Sequence, residues 1–106
     1  MIHLTENEMS EILTILKQHV QNGFVVAFGS RYKGNPKSYS DLDLAVVKYD
    51  ENSMSIKEYG ELKEAFEESE LNFRVDVVDY WGASKEFRQI IDNGCYRIFE
   101  SNLSRM

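Results

Sequence analysis

The sequence has few cysteines and no long apolar segments. A lone cysteine, Cys95, among 106 residues excludes an intrachain disulfide and a cysteine-built metal site. It fits a small core position better than a nucleophile. The longest apolar run, residues 24–28, is too short to cross a membrane. No basic segment followed by an apolar run opens the chain, so we expect no signal peptide and a cytoplasmic protein.

Basic residues are also in the minority, with 12 Lys and Arg against 18 Asp and Glu and a formal net charge of -6. Because such a chain repels a phosphate backbone, a nucleic acid is disfavoured as its direct substrate. Arg31, Lys33 and Lys37 form a local basic group that suits a small anionic ligand, although each also fits a solvated surface. The acidic excess, typical of a solvated helix face, is concentrated in one segment: Glu58, Glu61, Glu64, Glu67, Glu68 and Glu70.

Three helices are predicted from capping residues and apolar spacing. Thr5 with Glu8, and Ser55 with Glu58, have the form of capping boxes, and Ser84 caps a third helix. We expect the first helix to stop at 22–23, an Asn-Gly pair. The inward stripe predicted for the second helix comprises Ile56, Tyr59, Leu62, Ala65 and Phe66.

Between these helices lie short β-prone segments at 24–28, at about 41–48 and at 73–80, and a fourth is predicted at 96–99. The first segment is apolar throughout and indicates a strand covered on both faces. A short helical turn is predicted at 30–34. The order of elements indicates a two-layer α/β fold with a small sheet, built as a single domain over residues 1–106.

The junction after the first strand is a candidate phosphate site. Gly29-Ser30 followed by a helical turn directs backbone N–H groups outward at the positive end of that turn. Glycine also allows a phosphate to approach the backbone closely. An ordinary strand-ending turn explains the same pair when it is taken alone.

Asp41 and Asp43 are candidate metal ligands. They are separated by one residue on a predicted strand, so both side chains project from the same face. Two like charges so close repel each other, and Mg²⁺ would relieve that repulsion because it binds carboxylate oxygens together with substrate phosphates. The alternative is a solvated pair at the start of a strand.

A third carboxylate is expected from the strand at 73–80. Asp76 and Asp79 are three residues apart, so they face opposite sides of a regular strand and only one can join Asp41 and Asp43. Asp76 lies in mid-strand among β-branched residues, whereas Asp79 lies at the exit, where capping of a loop is the simpler role. We therefore predict that Asp76 completes the site.

These motifs together resemble a known superfamily. Gly29-Ser30, ten intervening residues and the Asp-Leu-Asp segment at 41–43 resemble the signature of the DNA polymerase beta-like nucleotidyltransferases. The wider segment 28–44 resembles the minimal nucleotidyltransferase (MNT) proteins, and 75–79 matches that group's pattern for the third carboxylate. The resemblance extends to about Phe99. Its one departure, Tyr32 where the family often has alanine, affects no catalytic position.

The resemblance implies a polymerase beta palm-like domain with a small mixed sheet and flanking helices. It assigns Asp41 and Asp43 to two Mg²⁺ ions, and Asp76 to the metals or to the proton of the acceptor. ATP would be the nucleotide donor, with its phosphates held by Gly29, Ser30 and, more weakly, Arg31.

MNT proteins typically pair with a HEPN-domain toxin, act as its antitoxin and can adenylylate it on tyrosine. The resemblance therefore implies a magnesium-dependent transfer of AMP from ATP to a partner protein. A second hypothesis is a non-catalytic antitoxin that masks its partner. The complete carboxylate set favours the enzyme, and the short chain favours an acceptor supplied by a partner over a small molecule. The sequence leaves homo-oligomerisation open.

Overall fold

The computed structural model describes residues 4–29 and 41–101 of the protein. The turn predicted at 30–34 lies outside these residues. A 3₁₀ turn, Tyr80–Gly82, follows the third strand. The other elements are α1 (Glu6–His19), β1 (Gly23–Phe28), β2 (Leu42–Lys48), α2 (Ile56–Glu67), β3 (Val75–Asp79), α3 (Lys85–Asp92) and β4 (Tyr96–Glu100).

The predicted capping residues begin all three helices, as their side-chain hydrogen bonds show. The Thr5 side chain accepts a hydrogen bond from the Glu8 N–H at 3.1 Å, and the Glu8 carboxylate accepts one from the Thr5 N–H at 2.9 Å. The predicted capping box of α1 is therefore confirmed. The Ser55 side chain likewise accepts from the Glu58 N–H, but the Glu58 carboxylate accepts from Lys48 instead. The second predicted box is half formed because Glu58 has a competing cation.

Two element ends differ from the prediction. α1 ends at His19 with Val20 as its C-cap, before the predicted Asn-Gly stop. Asn22 adopts a φ of 58° and Gly23 already begins β1, so this pair directs the chain into the strand. β3 covers only 75–79, shorter than the predicted 73–80, because the chain turns into the 3₁₀ segment at Tyr80.

The strands form one mixed sheet in the order β3-β2-β1-β4. β1 is antiparallel to both β2 and β4, whereas β2 and β3 are parallel. A parallel pair needs a long crossover, and α2 supplies it between β2 and β3. The predicted α/β class with a small mixed sheet is confirmed.

The two faces of the sheet are covered unequally. α1 and α2 pack on one face, where Ile12, Leu16 and Leu62 are buried together with Val25 and Leu44 of the central strands. On the opposite face a smaller cluster joins Val26, Phe28 and Ala45 to Ile91 of α3. β1 is thus covered on both faces, as its unbroken apolar run predicts. No helix in the described part of the chain is long and apolar enough to span a bilayer.

The inward stripe predicted for α2 is wrong at its first position. Leu62 and Phe66 are buried and Tyr59 and Ala65 are partly buried, but Ile56 is 93% exposed. Ile56 is the first residue of the helix, where the chain has only begun to turn toward the sheet. The sequence spacing could not reveal this, since the packed face of α2 begins one turn further on.

Leu62 and Ile56 therefore make a matched test of the packing of α2. We expect Leu62→Ala to lower the free energy of unfolding by about 2–5 kcal/mol, because it opens a cavity at a fully buried position. Ile56→Ala should change it by less than about 0.5 kcal/mol. Urea denaturation followed by circular dichroism measures both. Equal losses in the two variants would contradict this packing.

Candidate active site

Strand pairing brings two of the predicted carboxylates side by side. In the parallel β2–β3 ladder Asp43 is the register partner of Asp76, and in the antiparallel β1–β2 ladder it is the partner of Phe28. Register partners point to the same face of a sheet, so the Asp43 and Asp76 side chains are direct neighbours. Asp41 lies two residues before Asp43 and thus projects from that face too.

The carboxylates occupy the face of the sheet that α1 and α2 leave uncovered. Ala45 and Val78, each two residues beyond Asp43 or Asp76, belong to the small apolar cluster under α3. The site therefore lies at the start of β2 and β3, at the margin of this cluster. The Asp41 and Asp76 side chains are partly exposed to solvent there.

Arg74 lies between Asp41 and Asp76. Its Nε is 3.2 Å from Asp76 Oδ1, and its terminal Nη2 is 3.4 Å from Asp76 Oδ2. The same Nη2 is 3.5 Å from Asp41 Oδ2. Arg74 is not among the site residues predicted from the sequence, although its i, i+2 spacing to Asp76 on a strand predicts a shared face. One guanidinium thus neutralises part of the charge of two carboxylates.

Asp43 is the carboxylate whose ionised form this arrangement destabilises. Partial burial raises the pKa of its carboxyl group, and the neighbouring Asp76 and Asp41 carboxylates raise it further. Arg74 acts in the opposite direction but does not restore the ordinary value. The Asp43 carboxylate is therefore a destabilised anion, which a bound cation would stabilise.

Gly29 is required by its contact with Asp43. It follows β1 with a φ of +83°, a conformation that side chains with a Cβ rarely adopt. A Cβ built on Gly29 would overlap the Asp43 carboxylate. The sequence predicts a phosphate-binding role for Gly29. The structure adds that the absence of a side chain at this position leaves space for the Asp43 carboxylate. Ser30 and Arg31, the other predicted phosphate contacts, lie outside the described residues, as do Lys33 and Lys37.

Asp79 points away from the three carboxylates, as predicted from its spacing. Its Oδ2 accepts a hydrogen bond from the Met54 N–H at 3.1 Å, and the carboxylate also accepts from the Gly82 N–H. Its pKa is raised, chiefly by burial, although these hydrogen bonds act in the opposite direction. These contacts join the end of β3 to the residues before α2, which is a structural role.

Trp81, considered from the sequence as a base-stacking residue or as a cover for the core edge, has packing partners. Its Nε1 donates to the Lys48 carbonyl at 3.0 Å, and its ring meets that of Tyr80 edge-on at 4.9 Å. It also lines a cavity of about 630 Å³, together with Ile91 and Lys48. This cavity lies on the face of the sheet that carries the carboxylates, but at the opposite end of the strands. These contacts favour the structural alternative.

The chemistry of the three carboxylates fits Mg²⁺, which prefers hard oxygen ligands. Their placement on one face and the destabilised anion at Asp43 support such a site. Within residues 4–29 and 41–101, however, no three acidic, histidine or cysteine side chains are arranged as a ready metal site.

Comparison with known proteins identifies the family. The nucleotidyltransferase family described as "Polymerase beta, Nucleotidyltransferase" matches residues 10–103, and the chain belongs to it. A relative from Haemophilus influenzae, named "Probable protein adenylyltransferase MntA", is 44% identical over 90 residues. The match covers 85% of this chain and 77% of that protein. The predicted resemblance is confirmed.

Solved structures share the fold. One is a crystal structure of a toxin–antitoxin with AMP-PNP, with a TM-score of 0.71 and 23% identity over 91% of this chain and 76% of that chain. Another is a double aspartate-to-glutamate mutant of the toxin–antitoxin MntA-HpeT, with a TM-score of 0.70 and 21% identity at the same coverage. A tyrosine-to-alanine mutant of that pair has a TM-score of 0.70 and 24% identity over 96% and 77% of the two chains.

The glycine contact can be tested against a second glycine of the same chain. Gly29→Ala places a Cβ against Asp43 at a positive φ, so we expect a loss of stability of at least about 1–2 kcal/mol and of nucleotidyl transfer. Gly60→Ala, in α2 with open space around it, should stabilise the protein by roughly 0.5–1 kcal/mol and leave transfer intact. Thermal melting and transfer assays measure both effects. Unchanged transfer in Gly29→Ala would show that the close approach to Asp43 is unimportant.

Proposed function

We propose that this nucleotidyltransferase transfers AMP from ATP to a tyrosine of a HEPN-type toxin, in a magnesium-dependent reaction, and thereby acts as the antitoxin. The 44% identical relative named a probable protein adenylyltransferase supports both the nucleotide and a protein acceptor. The toxin–antitoxin complexes that share the fold, one of them with AMP-PNP, support a partner toxin.

The observation that supports the proposal is that Asp41, Asp43 and Asp76 share one face of the sheet and, among the described residues, lie on an open surface. The side chains of Asp41 and Asp76 are 45% and 40% exposed, and Arg74 beside them is 72% exposed. Sites for small molecules usually enclose most of the ligand surface. An open site instead admits a side chain presented by another protein.

In the proposed reaction the tyrosine hydroxyl oxygen forms a bond to the α-phosphorus of ATP. The bond from that phosphorus to the oxygen bridging the β-phosphate breaks, and pyrophosphate leaves with the electron pair. Asp41 and Asp43 would hold the metal, and Asp76 would share it or accept the hydroxyl proton. When bound, Mg²⁺ would neutralise charge on the phosphates. Gly29, with Ser30 and Arg31 as the sequence assigns them, holds the polyphosphate.

The partner orients its own tyrosine in this scheme. Docking converts a bimolecular encounter into a reaction within one complex, which removes much of the entropic barrier. The exposed glutamates of α2, including Glu61, Glu64 and Glu67, lie on the side of the sheet away from the carboxylates, so solvation explains them better than contact with a partner docked at the site. A masking antitoxin without catalysis would also have to contact the chain, so the two hypotheses must be separated by chemistry.

The third carboxylate can be tested with its neighbour as the control. Asp76→Asn should lower turnover by roughly 10²–10⁴-fold, because it removes a metal ligand or a general base. Asp79→Asn should keep turnover within a few-fold of the wild type, since Asp79 points away and caps a loop. Initial rates of AMP transfer at saturating Mg²⁺-ATP compare the two, with circular dichroism as a check on folding. Comparable losses in two folded variants would remove Asp76 from the site.

The transfer itself is tested by mass. The chain is incubated with the HEPN-type partner and Mg²⁺-ATP, the proteins are separated, and the partner is weighed by intact-mass spectrometry. We expect an added adenylyl group, mapped to tyrosine by peptide sequencing, and inhibition of the partner that persists after separation. The Asp41→Asn, Asp43→Asn double variant should fold and bind the partner but add no mass.

A partner that gains no mass would contradict the enzyme. If the wild type and the double variant also inhibited it equally, the masking antitoxin would be the correct alternative. Persistent inhibition by the wild type alone supports covalent modification, because masking ends when the two proteins separate.

A further inference from the structure

We infer that Arg74 is an internal counter-ion that competes with the divalent cation for Asp41 and Asp76, and so sets the metal affinity of the site. This inference rests on the proposed metal-dependent function and deepens it. It concerns a residue that binds neither nucleotide nor acceptor in the scheme above.

The contacts of Arg74 occupy the oxygens that a metal would need. The guanidinium reaches Asp76 Oδ1 at 3.2 Å and Asp76 Oδ2 at 3.4 Å in a two-pronged pairing. It also lies 3.5 Å from Asp41 Oδ2. A planar guanidinium matches a carboxylate in this way, and both partners are charged. Both oxygens of Asp76 and one of Asp41 are therefore engaged by the same cation.

This geometry distinguishes competition from support. A residue that supports a metal ligand normally bonds the atom of the ligand that faces away from the metal, and it strengthens metal binding. Arg74 instead engages both oxygens of Asp76, which leaves neither one for the metal alone. A cation that binds Asp76 and Asp41 together must displace at least part of this pairing.

Displacement of the side chain is easy in this setting. Arg74 is 72% exposed, and its two partners are 45% and 40% exposed, so the ion pairs are screened by water and weak. The main chain of Arg74 is fixed independently, because its carbonyl accepts a hydrogen bond from the Leu42 N–H at 2.9 Å. The side chain can therefore swing away while the start of β2 and β3 stays in place.

The pairing also explains how the chain tolerates three adjacent carboxylates before metal binds. Like charges on neighbouring strands destabilise a sheet. Arg74 offsets this repulsion at Asp41 and Asp76 by direct ion pairs. It acts on Asp43 through Coulomb attraction. Removal of Arg74 should therefore weaken the metal-free fold and strengthen metal binding at once. Those two opposite effects are the signature of a counter-ion.

The test measures Mn²⁺ binding without nucleotide, by electron paramagnetic resonance and calorimetry. Arg74→Gln should bind Mn²⁺ about three- to tenfold more tightly than the wild type, the range expected from breaking exposed ion pairs. Arg74→Lys should fall between them, because an ammonium cannot engage both oxygens in the same way. Arg97→Gln is the control, since Arg97 is also exposed and pairs with Glu100 on β4, at the other edge of the sheet.

Thermal melting gives a second readout. Without metal, Arg74→Gln should have a lower melting temperature than the wild type. Saturating Mn²⁺ should raise that temperature more in the variant, since a ligand that binds more tightly stabilises the folded state more. Mn²⁺ should raise the melting temperature of Arg97→Gln by the same amount as that of the wild type. Unchanged or weaker Mn²⁺ binding in Arg74→Gln would overturn the inference and make Arg74 a support of its carboxylates. If the wild type still adenylylates its partner in that case, the proposed function survives. If no variant binds Mn²⁺, the inference fails, and mass gain by the partner decides the proposed function separately.

Discussion

The parallel pairing of β2 with β3 is the constraint on which the site depends. It sets Asp43 directly beside Asp76, and it brings Asp41 and Arg74, the residues just before β2 and β3, close together. The pairing itself depends on α2, whose crossover is held to the far face of the sheet by buried Leu62. The face that carries the carboxylates therefore stays free of helices α1 and α2, because the main core lies on the other side of the sheet.

Charge is the cost of this arrangement. Three carboxylates lie together where β2 and β3 begin. Among the described residues, the Arg74 guanidinium is the cation that pairs with two of them. The uneven result is visible at Asp43, which is partly buried, lies against Gly29 and has the raised pKa. A site built in this way stores repulsion that a cation relieves. Such tension is expected at functional sites, where function rather than stability of the fold has shaped the residues.

The openness of the site accounts for the kind of acceptor proposed. The carboxylates lie on the sheet surface at the margin of the small cluster under α3, where a side chain from another molecule can reach them. In the proposed reaction a partner that docks there would supply both the acceptor and the exclusion of water, and the chain would provide the metal ligands and the phosphate contacts. Membership in the nucleotidyltransferase family agrees with the nucleotide-transfer part of this scheme.

By itself the sequence determined the helices with their caps, the strands and the spacing of the carboxylates, because these depend on contacts within a few residues. It also separated Asp76 from Asp79, since alternation along a strand is a local property. The tertiary structure decided the rest. Strand register made Asp43 and Asp76 neighbours, the position of Ile56 at the start of α2 left its side chain in solvent, and the approach of β1 to β2 required glycine at position 29. The role of Arg74 emerged only there too, because an ion pair between the starts of two strands depends on how distant segments meet.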